Sequence, residues 1–283
     1  MNVIQNNKEL QNIISDKRKK LVKIAFVPTM GNLHKGHLSL IELAKEHADY
    51  IVVSIFVNPI QFNDNEDFDA YPRTIESDMD KLKMAGVDLL FLPSLQALFP
   101  YGTNKATQIY VPEISNDLCG RIRPGHFEGV ASIVLRLFNI VKPDVSIFGQ
   151  KDFQQKLLIE RMVSDLALNI KIITAPIIRE ADGLAMSSRN QFLSSSKRRI
   201  ACNIYEVIKE AENEIHNFNN KFPLLERKFK KEINKYGFSV DYIAIRSSID
   251  LSLPEDGCKN LIILVSVLID NVRLIDNVLI EYR

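Results

Sequence analysis

The sequence predicts an α/β protein, a doubly wound parallel sheet followed by a smaller C-terminal α+β domain. Three observations carry this expectation. Short apolar runs rich in valine and isoleucine recur between Leu21 and Ile178, each of the length of a buried strand. Stretches with apolar residues at helical spacing separate them, and a strand, helix, strand order demands parallel pairing through a right-handed crossover. After Ile178 the pattern changes to a long charged helical region and then to strands without intervening helices. The expected division is residues 1–178 for the first domain and 179–283 for the second.

The elements follow in order. No element is assigned to the mixed polar N-terminal stretch. Leu21 to Val27 reads as a strand ended by Pro28, and Leu38 to His47 as a helix that turns Leu40, Ile41, Leu43 and Ala44 to the core. Tyr50 to Val57 is the next strand. The alternation continues with a helix over Thr74 to Met84, a strand over Val87 to Leu92, a helix over Gly129 to Ile140 and a strand over Val145 to Phe148. A helix over Phe153 to Leu168 then leads to a strand over Ile170 to Ile178. In the second domain a charged helical region spans Ser194 to about Tyr236, and strands are expected at Val240 to Ile245, Leu261 to Leu268 and Val278 to Tyr282. In a doubly wound sheet, ligands bind beyond the carboxyl ends of the strands. The loops Pro28 to Gly36, Asn58 to Asp69 and Gly149 to Asp152 would lie there.

Composition narrows the function classes. A chain of 283 residues, 46% apolar and 25% charged, has material for more than one core. A net charge of +1 provides no field that argues for nucleic acid or an anionic membrane surface as partner. The longest apolar runs, Ile51 to Val57 and Leu261 to Ile269, are too short to span a bilayer, and the N-terminus lacks a secretory signal pattern. A soluble, cytoplasmic protein is expected. The three cysteines, Cys119, Cys202 and Cys258, are widely spaced with neither a zinc nor a redox pattern.

Chemistry concentrates in the loops. Pro28-Thr29-Met30-Gly31-Asn32-Leu33-His34-Lys35-Gly36-His37 joins a strand to a helix. Helix N-terminal N–H groups attract anions, Gly36 admits a phosphate to the backbone, and the two imidazoles share one face of the first turn. They suit donation to phosphoryl oxygens that gather charge. The alternative is a capping loop whose histidines satisfy backbone groups. In Phe148-Gly149-Gln150-Lys151-Asp152, glycine leaves room for a ribose, Asp152 suits its hydroxyls and Lys151 suits a phosphate; a solvated helix start is the alternative. Arg179-Glu180-Ala181-Asp182-Gly183-Leu184-Ala185-Met186-Ser187-Ser188-Arg189-Asn190 suits a mobile clamp on a triphosphate, or a serine-rich helix cap. Asn58 and Gln61 offer neutral amides for a small hydroxy acid beside the apolar Met30 and Phe62, or an Asx-type turn without a ligand. In Cys119 to Gly129, the arginines meet phosphate or pair with acids.

Taken in order, PTMGNLHKGH, VNPIQFN, DAYPRT, CGRIRPGHFEGV, FGQKDFQQ and READGLAMSSRN resemble the pantothenate synthetase family, with the match running from about Phe26 to Leu193. The C-terminal part is similar in length and arrangement. The resemblance implies a Rossmann-like first domain of the HxGH nucleotidylyltransferase type, a small C-terminal lid domain, a homodimer joined through the first domains, and a requirement for ATP and magnesium. It implies condensation of pantoate with β-alanine to pantothenate, AMP and diphosphate through an enzyme-bound pantoyl adenylate, a step toward coenzyme A. ATP would lie along Met30, Gly31, Asn32, Leu33, His34, Lys35, Gly36 and His37, then Gly149, Gln150, Lys151, Asp152, Ile178, Met186, Ser187, Ser188 and Arg189. Gln61 and Gln155 would hold pantoate. His37 matches the family's proton donor, while His34, Lys151, Ser187, Ser188 and Arg189 match residues that stabilise the phosphates. The metal ligands are not specified. Asn32 stands where alanine is usual, and Ile178 and Arg136 are conservative variants.

Three rivals make different demands. A nucleotidylyltransferase would favour cations over Gln61 and Gln155 for a phosphorylated acceptor. A truncated class I aminoacyl-tRNA synthetase would present a basic RNA-facing surface. A nucleotide-binding regulator without turnover would be expected to lack His37, Lys151 or Arg189, and all three are present.

Overall fold

The apolar runs become strands because alternate residues enter two covered faces of one sheet. The computed structural model describes residues 1–63, 66–218 and 221–282. Its first compact unit comprises residues 1–149 and 155–176, and its second residues 150–154 and 177–283. The first contains β1 (Asn2–Ile4), α1 (Asn7–Lys19), β2 (Ile24–Thr29), α2 (Lys35–Lys45), β3 (Tyr50–Ile55), α3 (Ile75–Met84) and β4 (Leu89–Phe91). The short α4 (Leu95–Leu98) and α5 (Cys119–Ile122) precede α6 (His126–Val141), β5 (Val145–Gly149), α7 (Phe153–Asp165), whose first two residues group with the second unit, and β6 (Lys171–Ala175).

The sheet is six-stranded, in the order β1-β4-β3-β2-β5-β6, and every pairing is parallel. Ala25, Val27, Ile51, Val53, Leu90, Val145 and Ile147 form one buried cluster with Leu40, Ile41 and Ala44 of α2 and Leu82 of α3. On the other face Phe26 meets Phe138 of α6 edge to face, with ring centroids 6.3 Å apart. Burial on both faces explains why the strands read as continuous apolar runs.

Two elements are added here and one expectation is corrected. The N-terminal stretch is structured. Asn6 caps α1 by accepting from the N–H groups of Lys8 and Glu9, and Asn2 to Ile4 pair with Leu89 to Phe91. Pro28 lies inside β2 and does not end it, because β5 pairs only with Ala25 and Phe26. At Pro28 the missing N–H therefore interrupts no ladder on that side.

The second unit contains α8 (Ser195–Ala201), α9 (Asn203–Glu214), α10 (Phe222–Lys235), β7 (Ser239–Ser247), β8 (Asn260–Ile269) and β9 (Val272–Glu281). The expected long helical region is thus three helices, with residues 219–220 outside the described ones. The strands form an antiparallel meander in the order β7-β8-β9. Phe222, Leu225, Phe229 and Ile233 make one apolar stripe along α10 and join Ile204, Val207 and Ile208 of α9 over Ile243, Ile263 and Val265.

Candidate active site

The loop from β2 to α2 is held by its own atoms and by groups of β3 and α3. Thr29 Oγ1 donates to the Ser54 carbonyl at 2.8 Å and accepts from Gly31 N–H at 3.2 Å. Gly31 has φ +84° and Asn32 has φ +50°, a left-handed conformation that asparagine tolerates better than most side chains. The fully buried Asp78 carboxylate of α3 accepts from Asn32 N–H and Leu33 N–H, both at 2.8 Å. These two anion-seeking N–H groups are therefore satisfied by protein.

His34 and His37 form a reciprocal cap. His34 Nδ1 accepts from Gly36 N–H at 3.1 Å, and His37 Nδ1 accepts from His34 N–H at 3.3 Å. The rings lie 4.1 Å apart. Capping and catalysis are compatible here, because an Nδ1 that accepts assigns the proton of a neutral ring to Nε2. Each histidine thus carries an Nε2–H suited to a phosphoryl oxygen, while Lys35 between them is exposed.

Asn58 and Gln61 flank a 3₁₀ turn after β3, and both are buried. Asn58 Nδ2 donates to Gln61 Oε1 at 3.0 Å and to the Gly129 carbonyl at 3.2 Å, which turns Gln61 Nε2 toward Met30 Sδ at 3.2 Å. Gly129 is required by this packing: a Cβ there would sit 2.4 Å from the Ile60 carbonyl oxygen. The Asn58 Oδ1 is buried without a hydrogen-bond partner among the described residues. Gln155 stands in the first turn of α7 and is half-buried.

The arginine-rich segment that the sequence left open supports Gln61. Arg123 forms a fork on Glu66, 2.6 Å from each oxygen, and its Nη1 meets His126 Nε2 at 2.9 Å. His126 Nδ1 is 2.8 Å from the Gln61 carbonyl oxygen. The guanidinium can only donate, so His126 Nε2 accepts and its Nδ1–H holds that carbonyl. Burial alone would raise the Glu66 carboxyl, but the Arg123 hydrogen bonds and charge, with Asn63 N–H and His126, bring it below its ordinary value. Arg136 donates to the Ser132 and Thr107 carbonyls and lies over Phe99.

Gly149 ends β5. Among the described residues a Cβ at Gly149 would meet only Leu40 Cδ2, at 4.0 Å, so packing does not require glycine there. In the second unit, Gln150, Lys151 and Asp152 form a 3₁₀ turn in which Lys151 Nζ lies 3.7 Å from Asp152. Asn277 Nδ2 donates to the carbonyls of Gln150 and Lys151, both at 3.0 Å. Arg179 and Ala185 form a β-bridge, Met186 N–H donates to the Ile178 carbonyl at 3.0 Å, and Ser187 Oγ caps the 3₁₀ turn Ser188–Phe192 by accepting from Arg189 N–H at 3.3 Å. Ser188 is buried, whereas Met186, Ser187 and Arg189 are half-buried. Arg179 grips the buried Asp276 carboxylate with two bonds of 2.6 and 2.9 Å. Burial pushes the Asp276 carboxyl above its ordinary range, opposed by Arg179. Sequence reading did not identify Asp78, Glu66, Asp276 or Asn277 as site residues; Asp78 looks like a favourable acid in the first turn of α3, and the others carry no local signal.

Comparison with known proteins gives a consistent result. The pantoate-beta-alanine ligase family matches residues 2–279. The chain is similar to a pantothenate synthetase of Stutzerimonas stutzeri, 43% identical over 283 residues covering 100% of this chain and 99% of that one. A pantothenate synthetase of Shewanella loihica is 47% identical over 258 residues, 91% of each chain. Among solved structures, a pantothenate synthetase from Thermus thermophilus superposes with a TM-score of 0.92 at 36% identity, covering 100% of both chains. Pantoate-beta-alanine ligase from Francisella tularensis, complexed with beta-gamma ATP and β-alanine, gives 0.84 at 38% identity, covering 99% of this chain and 97% of that one. The chain belongs to the pantoate-beta-alanine ligase family.

Proposed function

We propose that this enzyme, which joins pantoate to β-alanine at the expense of ATP, uses the histidine cap of the first unit and the cationic turn and loop of the second to form pantoyl adenylate. In the first half-reaction a pantoate carboxylate oxygen attacks the α-phosphorus of ATP and the bond to the β-phosphate bridging oxygen breaks, releasing pyrophosphate. Negative charge grows on the phosphoryl oxygens. His37 and His34 donate to them through Nε2–H, and Lys151, Ser187, Ser188 and Arg189 offset the remaining charge. The nucleotide contacts assigned to Met30 through His37, Gly149 through Asp152, Ile178 and Met186 belong to the same reading. In the second half-reaction the neutral amine of β-alanine attacks the acyl carbon, AMP leaves, and the new amide loses a proton.

The observation that carries this reading is the hydrogen bonding of the two histidines, which leaves both rings as Nε2–H donors at the end of β2. Pantoate selection rests on Gln61, Asn58 and Gln155. The buried Asn58 to Gln61 bond and the Arg123–His126 support orient a neutral amide, which suits hydroxyl and carboxylate groups without the charge a phosphorylated acceptor would call for. That favours an acid substrate over the nucleotidylyltransferase alternative.

Magnesium is proposed to enter with ATP, taking most of its ligands from phosphate and water, as this ion commonly does. Among the described residues no group of three or more His, Cys, Asp and Glu side chains converges as a metal cage. The second unit is proposed to act as a lid, and the protein to work as a cytoplasmic homodimer. Among the described residues no helix is long and apolar enough to cross a membrane.

The test is formation of AMP and pyrophosphate from ATP, magnesium and D-pantoate, with and without β-alanine, with the acyl product read by mass. Pantothenate is expected only with all components, and ATP–pyrophosphate exchange with pantoate alone. Exchange with other small carboxylates but not with pantoate would overturn the substrate assignment. Sedimentation of the purified enzyme at twice the chain mass of 32.3 kDa is expected for the homodimer.

A further inference from the structure

Strand β9 breaks its own alternation at one point. Successive strand residues face opposite sides, yet both Asp276 and Asn277 are buried, 3% and 1% exposed. Two adjacent buried polar side chains are costly unless their bonding capacity is used. Here it is used on two separate segments. Asn277 donates both amide hydrogens to the Gln150 and Lys151 carbonyls and accepts from Gln150 Nε2 at 3.1 Å, which sets the turn carrying Lys151. Asp276 accepts the Arg179 fork as well as Asn277 N–H at 2.7 Å.

Arg179 passes that anchoring on. Its Nη1 also donates to the Gly183 carbonyl at 3.0 Å, and its guanidinium lies 3.7 Å from the centre of the Tyr205 ring. Gly183, at φ +90°, has no room for a side chain, since a Cβ would sit 2.7 Å from that ring. The hairpin from Arg179 to Ala185 is thereby closed, and Ser187 to Arg189 follow directly from its second arm.

We propose that Asp276 and Asn277 are positioning residues for adenylate formation: Asn277 sets the Lys151 turn, and Asp276, through Arg179, sets the loop of Ser187, Ser188 and Arg189. The proposal rests on the phosphate roles of Lys151 and Arg189 given above. One dipeptide on one strand registers both cationic segments against each other. The alternative is that the pair only holds the second unit together.

Double-variant kinetics separate these. ATP–pyrophosphate exchange with pantoate is measured for Asn277→Ala, Lys151→Ala and the two combined, and for Asp276→Asn, Arg189→Ala and their combination. Asn277→Ala and Asp276→Asn should each slow exchange about ten- to a hundredfold through misplacement of the cation. The KM for pantoate should stay within about twofold, because Gln61 and its supports lie in the first unit. Each double variant should be slowed by much less than the product of its two single losses, since a cation already removed cannot be misplaced. A merely structural role predicts losses that multiply, and that result overturns the proposal. Wild-type exchange in Asn277→Ala overturns it as well while leaving the reading of Lys151 intact, whereas wild-type exchange in Lys151→Ala overturns that reading. The isosteric Asn277→Asp, which lacks both donors, replaces Asn277→Ala if the latter is recovered unfolded, with the same outcomes.

Discussion

The His34–His37 loop and the Lys151 turn are both proposed to meet ATP phosphates, but they are held in place by different means. The histidine loop is organised by neighbours in sequence: each ring caps the first turn of α2, and Thr29 closes the glycine turn before it. The Lys151 turn is held by an amide that is 126 residues away in the chain. Local geometry explains why HxGH is recognisable as a motif, since its spacing is its structure. A Lys-Asp pair in a turn is commonplace, and its function depends on a strand formed near the end of the chain. Motif strength therefore reports how locally a site is built, and says little about how much each residue contributes to catalysis.

Removing the side chains themselves is expected to produce the largest effects. Lys151→Ala should slow pyrophosphate exchange about 10²- to 10³-fold, the usual scale for deleting one group that stabilises transition-state charge, with the melting temperature unchanged. His34→Ala should slow the reaction on a similar scale and in addition lose about 1 kcal/mol of stability in urea denaturation, because it also deletes the α2 cap. An unchanged midpoint for His34→Ala would break the contrast between the two regions.

Next in size is Asp78→Ala, which probes a long-range support of the local loop. It leaves two backbone N–H groups without their carboxylate and should destabilise the first unit by about 3 kcal/mol. A loss below about 1 kcal/mol, measured by urea unfolding, would make the loop self-sufficient and sharpen the contrast further. Arg123→Ala comes third. It removes the guanidinium from His126 Nε2, and with it a restraint on the ring that holds the Gln61 carbonyl, and should raise the KM for pantoate about tenfold while leaving that for ATP unchanged, as steady-state kinetics would read directly.

The same cluster has a pH signature. The Glu66 carboxyl sits below its ordinary value of 4.5, so the stability it contributes is fully present above that pH and is lost as pH falls through the depressed value. Pantoate affinity measured by calorimetry should thus stay level from neutral pH to about 4.5 as far as Glu66 is concerned, and fall only below it; an earlier fall that Glu66→Gln abolishes would contradict this. The smallest effect is expected from Arg198→Ala. The Arg198 bonds hold the Asp182 carboxyl below its ordinary range, but the side chains are 29% and 41% exposed, and loss of the pair should cost no more than about 1 kcal/mol by thermal denaturation.

Legibility follows the same division. The parallel sheet was readable because strands buried on both faces must be continuously apolar, whereas Ser194 to about Tyr236 read as one helical region and its division into α8, α9 and α10 did not show. β1 was not readable, because Val3 is exposed and only Ile4 of the strand is buried; the strand exists because the edge of β4 offers it a ladder. Similarly, Cys119 to Gly129 left open whether its arginines meet phosphate or pair with acids, and only the approach of Glu66 and the Gln61 carbonyl assigns Arg123 and His126.

By itself, then, the sequence determined the α/β class, the family, and the residue types available for activating an acid with ATP, because these depend on short-range periodicity and on motifs whose spacing dictates their geometry. The tertiary structure decided the anchoring of Gln61 by Arg123 and His126, and the use of Asp276 and Asn277 to set two cationic segments. These depend on which buried polar atoms find each other across long stretches of chain, and no local pattern encodes a partner that only folding brings within hydrogen-bonding distance.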